Sequence, residues 1–151
     1  MDVIAELVVQ HRLVRHLLTQ LVTPEAFEHA DNPERAQRAD NLETAQRAVF
    51  AHLVAVERAM LPIVSSMDTQ ETIAASQAVA QALTELFVDK DDGMAAEAYA
   101  ALAVTLEELF AAELVLIREA RPALTASDQW LRLAADVRLT FLACLGPHSV
   151  Q

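Results

Sequence analysis

The sequence contains few of the residues that build disulfides, tight turns or membrane spans. Its 151 residues include one cysteine, two glycines and five prolines. With Cys144 alone, the chain can form neither an internal disulfide nor a thiolate metal cage. The scarcity of glycine argues against a hairpin-rich sandwich or barrel and against glycine-rich phosphate-binding loops. No apolar run reaches the roughly 20 residues that a transmembrane helix needs.

Basic residues are also scarce, which limits the partners that the chain can bind. Lysine and arginine total 11 against 22 aspartates and glutamates, so the net charge is −11 at pH 7. This excess of negative charge disfavours binding to DNA, RNA or anionic lipid, because all three require cationic side chains. The first residues lack the basic stretch that opens a secretory signal. We therefore expect a cytoplasmic protein that binds neither nucleic acid nor membranes.

Apolar residues recur every three or four positions through most of the chain, which is the pattern of amphipathic helices. The pattern predicts five helices, at about residues 2–22, 33–65, 68–88, 94–120 and 125–145. Short connections between the first four favour an antiparallel up-down-up-down four-helix bundle. The fifth and shorter helix is expected to pack across one end or one side of that bundle. The whole chain, residues 1–151, is then a single all-α domain.

Prolines and a capping pattern set the predicted helix boundaries. Pro122 is expected to interrupt the chain after the fourth helix, and Pro62 to kink the last turn of the second. Asp68 and Glu71 have the spacing of a capping box, which predicts the start of the third helix. The inward face of the third helix is predicted from residues spaced by three or four: Ile73, Ser76, Ala80, Leu83 and Phe87.

Three side chains that can bind metal interrupt otherwise apolar helix faces. They are His11 on the first predicted helix, His52 on the second and Glu113 on the fourth. Histidine and carboxylate side chains that face inward from different helices form the metal sites of helical bundles. Taken singly, each also fits a structural role, as a hydrogen-bonded core histidine or as a glutamate that reaches solvent or pairs with Arg118. Burial would raise the pKa of an unpaired Glu113, whereas a nearby cation or protonated histidine would lower it.

Several short motifs resemble those of hemerythrin-like (HHE cation-binding) domains. The opening Asp2-Val3-Ile4, followed by His11-Arg12, is similar to the start of that family's first helix. Residues 52–62 resemble its HxxxE motif, which is followed by Leu-x-Pro, and residues 123–128 resemble the short helix start that often follows its last helix. The resemblance covers most of the chain. It implies a four-helix bundle around two iron ions that are bridged by two carboxylates.

The resemblance also implies a role for individual positions. His11 and His52 match the two histidines of one iron, and Glu113 matches one bridging carboxylate. Four other ligand positions hold residues that are poor or incapable ligands, namely Val56 at the second bridge and Ser76, Ala80 and Leu109 at the histidines of the other iron. An alternative register of the fourth helix places Glu108 at the histidine position and Ala112 at the carboxylate position.

Three functional hypotheses follow. The first is a non-enzymatic protein that binds a small ligand or a protein partner, with a cavity where Val56, Ser76, Ala80 and Leu109 replace ligands. The second is a protein that holds one Fe, Zn or Mn ion with His11, His52 and Glu113, for small-molecule sensing or oxidative chemistry. The third, a diiron protein for O2, NO or peroxide, is disfavoured by the missing ligands. A homodimer is left open, with three apolar residues that could line its interface: Leu114, Leu139 and Phe141.

Overall fold

The computed structural model describes residues 2–22, 32–86 and 92–146. This part of the chain is helical and contains no β-strand. The elements are α1 (Val3–Val22), α2 (Asn32–Ala55) with a π-helical turn (Val56–Met60), α3 (Gln70–Glu85), α4 (Asp92–Ala126) and α5 (Gln129–Leu145). The all-α prediction is confirmed for the described residues. No helix among them is long and apolar enough to cross a membrane.

Helix α1 lies at the centre of the packing, in contact with α2, α4 and α5. Helix α2 also packs along α5, and α3 packs along α4. Asp2 caps α1, since its Oδ1 atom accepts a hydrogen bond from the Ala5 amide at 2.8 Å. One apolar core connects all five helices, and α1 contributes Leu7, Val14 and Leu18 to it. Because α1 contacts three other helices, its inward side chains have little access to solvent.

Helix α5 is a full member of this packing rather than a short addition. It has 17 residues against 16 in α3. Its buried residues follow helical spacing and form one continuous core face: Trp130, Leu133, Ala134, Val137, Phe141 and Leu145. Phe141 is therefore unavailable to line a dimer interface, contrary to the sequence-based suggestion. Of the other two suggested residues, Leu114 is half-buried and Leu139 is exposed.

Pro122 does not end α4, which continues to Ala126. Proline in a helix interior removes a backbone hydrogen bond and costs about 3 kcal/mol. Here the ring of Pro122 is exposed, while Ala120 and Leu124 on either side are buried in the core. Burial of these two residues holds the last turn of the helix in place. The chain turns at Asp128, whose φ of 58° is left-handed and incompatible with a continuing helix.

Helix α2 ends earlier than predicted, and α3 is rotated relative to its predicted face. The Leu61 amide donates to the Val56 carbonyl at 2.9 Å, which closes a wide turn just before Pro62. In α3 Leu83 is buried as predicted, but the other buried residues are Thr72 and Val79, each one position before the predicted Ile73 and Ala80. Phe87, the last residue of the predicted face, lies outside the described residues. Alanine is common in α3 and fits either face, which is why apolar spacing did not fix the rotation.

Candidate metal centre

Three helices bring His11, His52 and Glu113 together in the core. His11 lies in the middle of α1, His52 in the last turn of α2 and Glu113 in the middle of α4. Their side chains are 1%, 0% and 0% exposed. One ligand atom from each residue lies within 4.8 Å of the other two, so this group could hold a single metal ion. The three residues that interrupt the apolar faces in the sequence therefore converge.

Both histidines direct Nε2 at the same carboxylate. His11 Nε2 lies 3.0 Å from Glu113 Oε1. His52 Nε2 lies 2.8 Å from Oε1 and 2.9 Å from Oε2 of Glu113, so it faces the fork of the carboxylate. The imidazole rings meet edge to face, with centroids 5.1 Å apart and planes inclined at 81°. The donor atoms thus face one another at the centre of the group.

Behind His52 lies a polar chain that sequence reasoning did not find. His52 Nδ1 is 2.8 Å from the side-chain oxygen of Gln10, and Gln10 Nε2 donates to Glu6 Oε1 at 3.1 Å. Gln10 and Glu6 are both buried and stand one turn apart on α1. Their four-residue spacing, with Gln10 directly before His11, is the only sign of this chain that the sequence carries.

The contact with Gln10 determines which nitrogen of His52 carries a proton. An amide oxygen only accepts hydrogen bonds, so Nδ1 of His52 must be the donor. In neutral His52 the Nε2 atom is then unprotonated, and its lone pair faces the Glu113 carboxylate. Two acceptors at 2.8 Å repel each other unless a proton or a metal ion lies between them. Without metal, His52 or Glu113 therefore carries this additional proton.

Burial and charge oppose each other in setting the pKa values of His11 and Glu113, and both pKa values are lowered. Burial lowers the pKa of His11, and the hydrogen bond and charge of Glu113 offset this only in part. Burial alone would raise the pKa of Glu113, but the positive charge of His52 and hydrogen bonds from both histidines outweigh it and lower that pKa. The direction is the one expected for Glu113 beside a protonated histidine. Glu113 is therefore held as an anion despite full burial.

An aromatic and ionic layer covers the group on the side of α1 and α4. The Phe110 ring stacks on His11 with centroids 3.9 Å apart and planes 16° apart, and it meets His52 edge to face. The Arg15 guanidinium lies 5.0 Å from the Phe110 centroid. Arg15 also donates two hydrogen bonds to Glu107, at 2.5 and 2.8 Å. Phe110 thus separates the donor atoms from the more exposed Arg15–Glu107 pair.

Burial in α4 favours Glu113 over Glu108 as the inward-facing carboxylate. Glu113 is fully buried and contacts both histidines, whereas Glu108 is exposed and Ala112 is buried. The alternative with Glu108 at a ligand position does not match this geometry. Arg118 is exposed, and the partners of Glu113 among the described residues are His11 and His52.

The four positions where the resemblance implies lost ligands do not share one environment. Val56 and Leu109 are fully buried. Ser76 is half-buried and Ala80 is exposed, because α3 is rotated from its predicted face. Ala80 therefore cannot line an interior cavity, and the predicted cavity bounded by all four residues is wrong in this respect.

Comparisons with protein families, curated proteins and solved structures find no match to this chain. The structure itself defines the class to which the protein belongs. Its described residues form an all-helical protein with a buried group of two histidines and one carboxylate that could hold a metal ion. The function is therefore argued from this group.

Proposed function

We propose that this protein is a hemerythrin-like antiparallel helical bundle that binds one divalent transition-metal ion through His11, His52 and Glu113. The observation that carries the proposal is the convergence of two Nε2 atoms on one buried carboxylate. Two imidazoles and one carboxylate suit iron, zinc and manganese. The contacts of α1 with α2 and α4, which supply the other two donors, support the bundle arrangement.

The surroundings of His52 fit a metal ligand. A histidine that binds metal through one nitrogen almost always donates its other N–H to an oxygen acceptor. The Nδ1 atom of His52 has such an acceptor in Gln10, which leaves Nε2 free to bind. Gln10 is in turn oriented by its hydrogen bond to the buried carboxylate of Glu6. This support would fix the ring of His52 and add a negative charge near the cation.

The remaining residues favour one ion rather than two. An ion held by three protein ligands retains open coordination positions for a small molecule such as O2 or NO. Val56 and Leu109, at two positions where the resemblance expects further ligands, are buried and cannot bind metal. The Phe110 ring stacks on His11 and covers it on the side of α1 and α4. This set supports a sensing or oxidative role at a single ion and not a diiron oxygen carrier.

A second candidate is the metal-free binding protein of the first sequence hypothesis. Its support is that no buried side-chain nitrogen or oxygen in the described ranges lacks a hydrogen-bond partner. The two histidines and Glu113 already satisfy one another, so a metal ion is not needed to stabilise their burial. On this interpretation the polar group is structural, and the protein recognises a small ligand or a protein partner elsewhere.

Metal analysis and unfolding measurements distinguish the two candidates. Protein that is purified with iron supplied should contain about one ion per chain, and an ion at 100 times its dissociation constant should raise the free energy of unfolding by about 2.7 kcal/mol. The variant His11→Ala should lose both properties. His16→Ala is the matched control, because His16 lies on the same helix but is exposed. If iron, zinc and manganese neither bind nor stabilise the parent, the metal-free interpretation is correct.

The charge of the chain supports the proposed setting. We also propose a cytoplasmic location, and the net charge of −11 disfavours binding to nucleic acid or anionic membranes. Electrophoretic mobility-shift and vesicle-sedimentation assays at low salt test this proposal. Binding to either surface under those conditions would contradict it.

A further inference from the structure

A cleft opens between α1 and α4 immediately outside the proposed metal centre. Its volume is about 200 Å³. The cleft has an apolar floor of buried side chains, formed by Val14, Leu18, Leu106 and Phe110. Arg15 and Glu107 also line it and join the two helices through their paired hydrogen bonds. The cleft is therefore partly open to solvent, with an apolar floor and a polar rim.

Phe110 is shared between the cleft and the metal centre. Its ring lines the cleft and also stacks on His11 at 3.9 Å between centroids. A molecule in the cleft would contact the same aromatic side chain that covers the donor atoms. Such a molecule would therefore lie one side chain away from His11.

Size, lining and charge define the kind of molecule that fits. A cleft of about 200 Å³ has room for a molecule of about the size of benzene, which fills an enclosed cavity of about 150 Å³. The cation on the rim, Arg15, is already neutralised by Glu107 through two hydrogen bonds. The chain as a whole is strongly acidic, so an anion gains little by approaching it. These features favour a neutral apolar ligand.

We infer that the cleft between α1 and α4 binds a small neutral apolar molecule of about the size of one aromatic ring. The inference rests on the proposed function only in that the bound molecule would then lie beside the metal ion. Removal of the ligand's own apolar surface from water, and its van der Waals contact with the apolar floor, supply the affinity. Phe110 couples the occupied cleft to the ring of His11.

The cleft is tested with the full-length chain free of metal. Toluene serves as the neutral probe and benzoate as its anionic counterpart, and NMR titration measures the binding of each. Toluene should bind saturably, perturb the ring resonances of Phe110 and leave those of Trp130, which does not line the cleft, unchanged. Benzoate should bind at least about tenfold more weakly. Equal or tighter binding of benzoate, or no saturable binding of toluene, would overturn the inference.

A pair of matched variants places the probe in the cleft. Ala103 lines the cleft, so Ala103→Leu fills part of it and should weaken toluene binding by at least about tenfold. Ala101→Leu adds the same volume to an exposed position on α4 and should leave the affinity unchanged. If Ala103→Leu binds toluene as tightly as the parent, the ligand lies elsewhere and the inference fails. Direct contacts between toluene and Phe110 in nuclear Overhauser spectra test the placement in the parent without any variant.

The toluene measurements test the cleft whether or not the protein binds metal. Toluene binding that Ala103→Leu removes would support the cleft even if zinc failed to stabilise the protein, in which case only the proposed metal function falls. Conversely, stabilisation by zinc without any toluene binding would overturn the cleft and leave the metal proposal standing. Zinc binding by Ala103→Leu should equal that of the parent, because Ala103 is not a donor.

Discussion

The Nδ1–H group of His52 donates a hydrogen bond to the side-chain oxygen of Gln10, with 2.8 Å between the two atoms, and this orients Nε2 toward Glu113. This one hydrogen bond decides what the buried group can bind. With Nδ1 protonated, Nε2 accepts either a further proton or a metal ion. Gln10 is therefore the residue through which α1 sets the chemistry of a histidine on α2.

Removing this hydrogen bond should weaken both the fold and the binding of metal. We expect Gln10→Leu to lower the free energy of unfolding by about 1–3 kcal/mol, since a buried N–H of His52 loses its acceptor. The affinity for zinc should fall about 10- to 100-fold, as is typical when the supporting partner of a metal-binding histidine is lost. Chemical denaturation and zinc titration measure the two effects.

The control for this change is Gln77→Leu, which makes the same substitution at an exposed position on α3. Gln77→Leu should change neither the free energy of unfolding nor the affinity for zinc appreciably. A Gln10→Leu variant that binds zinc as tightly as the parent would show that the tautomer of His52 does not depend on Gln10.

Glu113→Gln tests the carboxylate itself. Glutamine keeps the shape of the side chain but removes the negative charge that both histidines face. Removing one partner of a buried ion pair typically costs about 3–5 kcal/mol, and we expect a loss in this range without metal. The variant should also lose any stabilisation by zinc or iron.

Glu108→Gln, at an exposed position of the same helix, is the matched control. Its free energy of unfolding should stay within about 0.5 kcal/mol of the parent value. Unaltered stability of Glu113→Gln would mean that the three side chains carry no net charge pair.

The sequence was sufficient to find the donor residues but not their support. His11, His52 and Glu113 stand out because each interrupts an apolar helix face, and burial of such groups demands a partner. Glu6 and Gln10 carry no comparable signal. Glu6 lies beside residues of α5 in the folded protein, so its burial depends on how a distant helix packs across α1. No local pattern encodes that contact.

Errors in the predicted fold have similar physical origins. The face of α3 was misplaced because its alanines fit the core and the surface alike, which leaves Val79 and Leu83 to decide the rotation. The end of α4 was misplaced because burial of Leu124 outweighs the penalty of Pro122, and burial is a property of the packed protein. In both cases long-range packing overrides a local preference.

The Arg15–Glu107 pair at the rim of the cleft should give a small, pH-dependent contribution to stability. The hydrogen bonds from Arg15 lower the pKa of Glu107 from its ordinary 4.5. A carboxylate whose pKa is lower in the folded than in the unfolded state stabilises the protein at pH values above its unfolded-state pKa. This contribution is lost as the pH falls through the folded-state pKa. Glu107→Gln should therefore be less stable than Glu108→Gln at pH 7, by less than about 1 kcal/mol because the pair is half-exposed.

The difference between these two variants should vanish as the pH is lowered below the folded pKa of Glu107. Denaturation at a series of pH values from 7 downward measures it. A difference that stays constant over this range would mean that the contribution of Glu107 is packing and not charge.

Val56→Glu tests the resemblance to hemerythrin-like domains directly. Val56 stands one turn after His52 and is fully buried, at the position where the resemblance places a bridging carboxylate. Without metal, the added carboxylate has no partner, so the free energy of unfolding should fall by several kcal/mol or the new group should stay protonated. With zinc or iron, the variant should recover more stability than the parent gains, since the new carboxylate becomes an additional ligand.

Val54→Glu is the matched control, because it buries a carboxylate on the same helix at a position that the resemblance does not assign to a ligand. It should be destabilised equally with and without metal. If metal rescues neither variant, the side chain at residue 56 does not face the donor group, and the hemerythrin-like assignment of α2 is wrong.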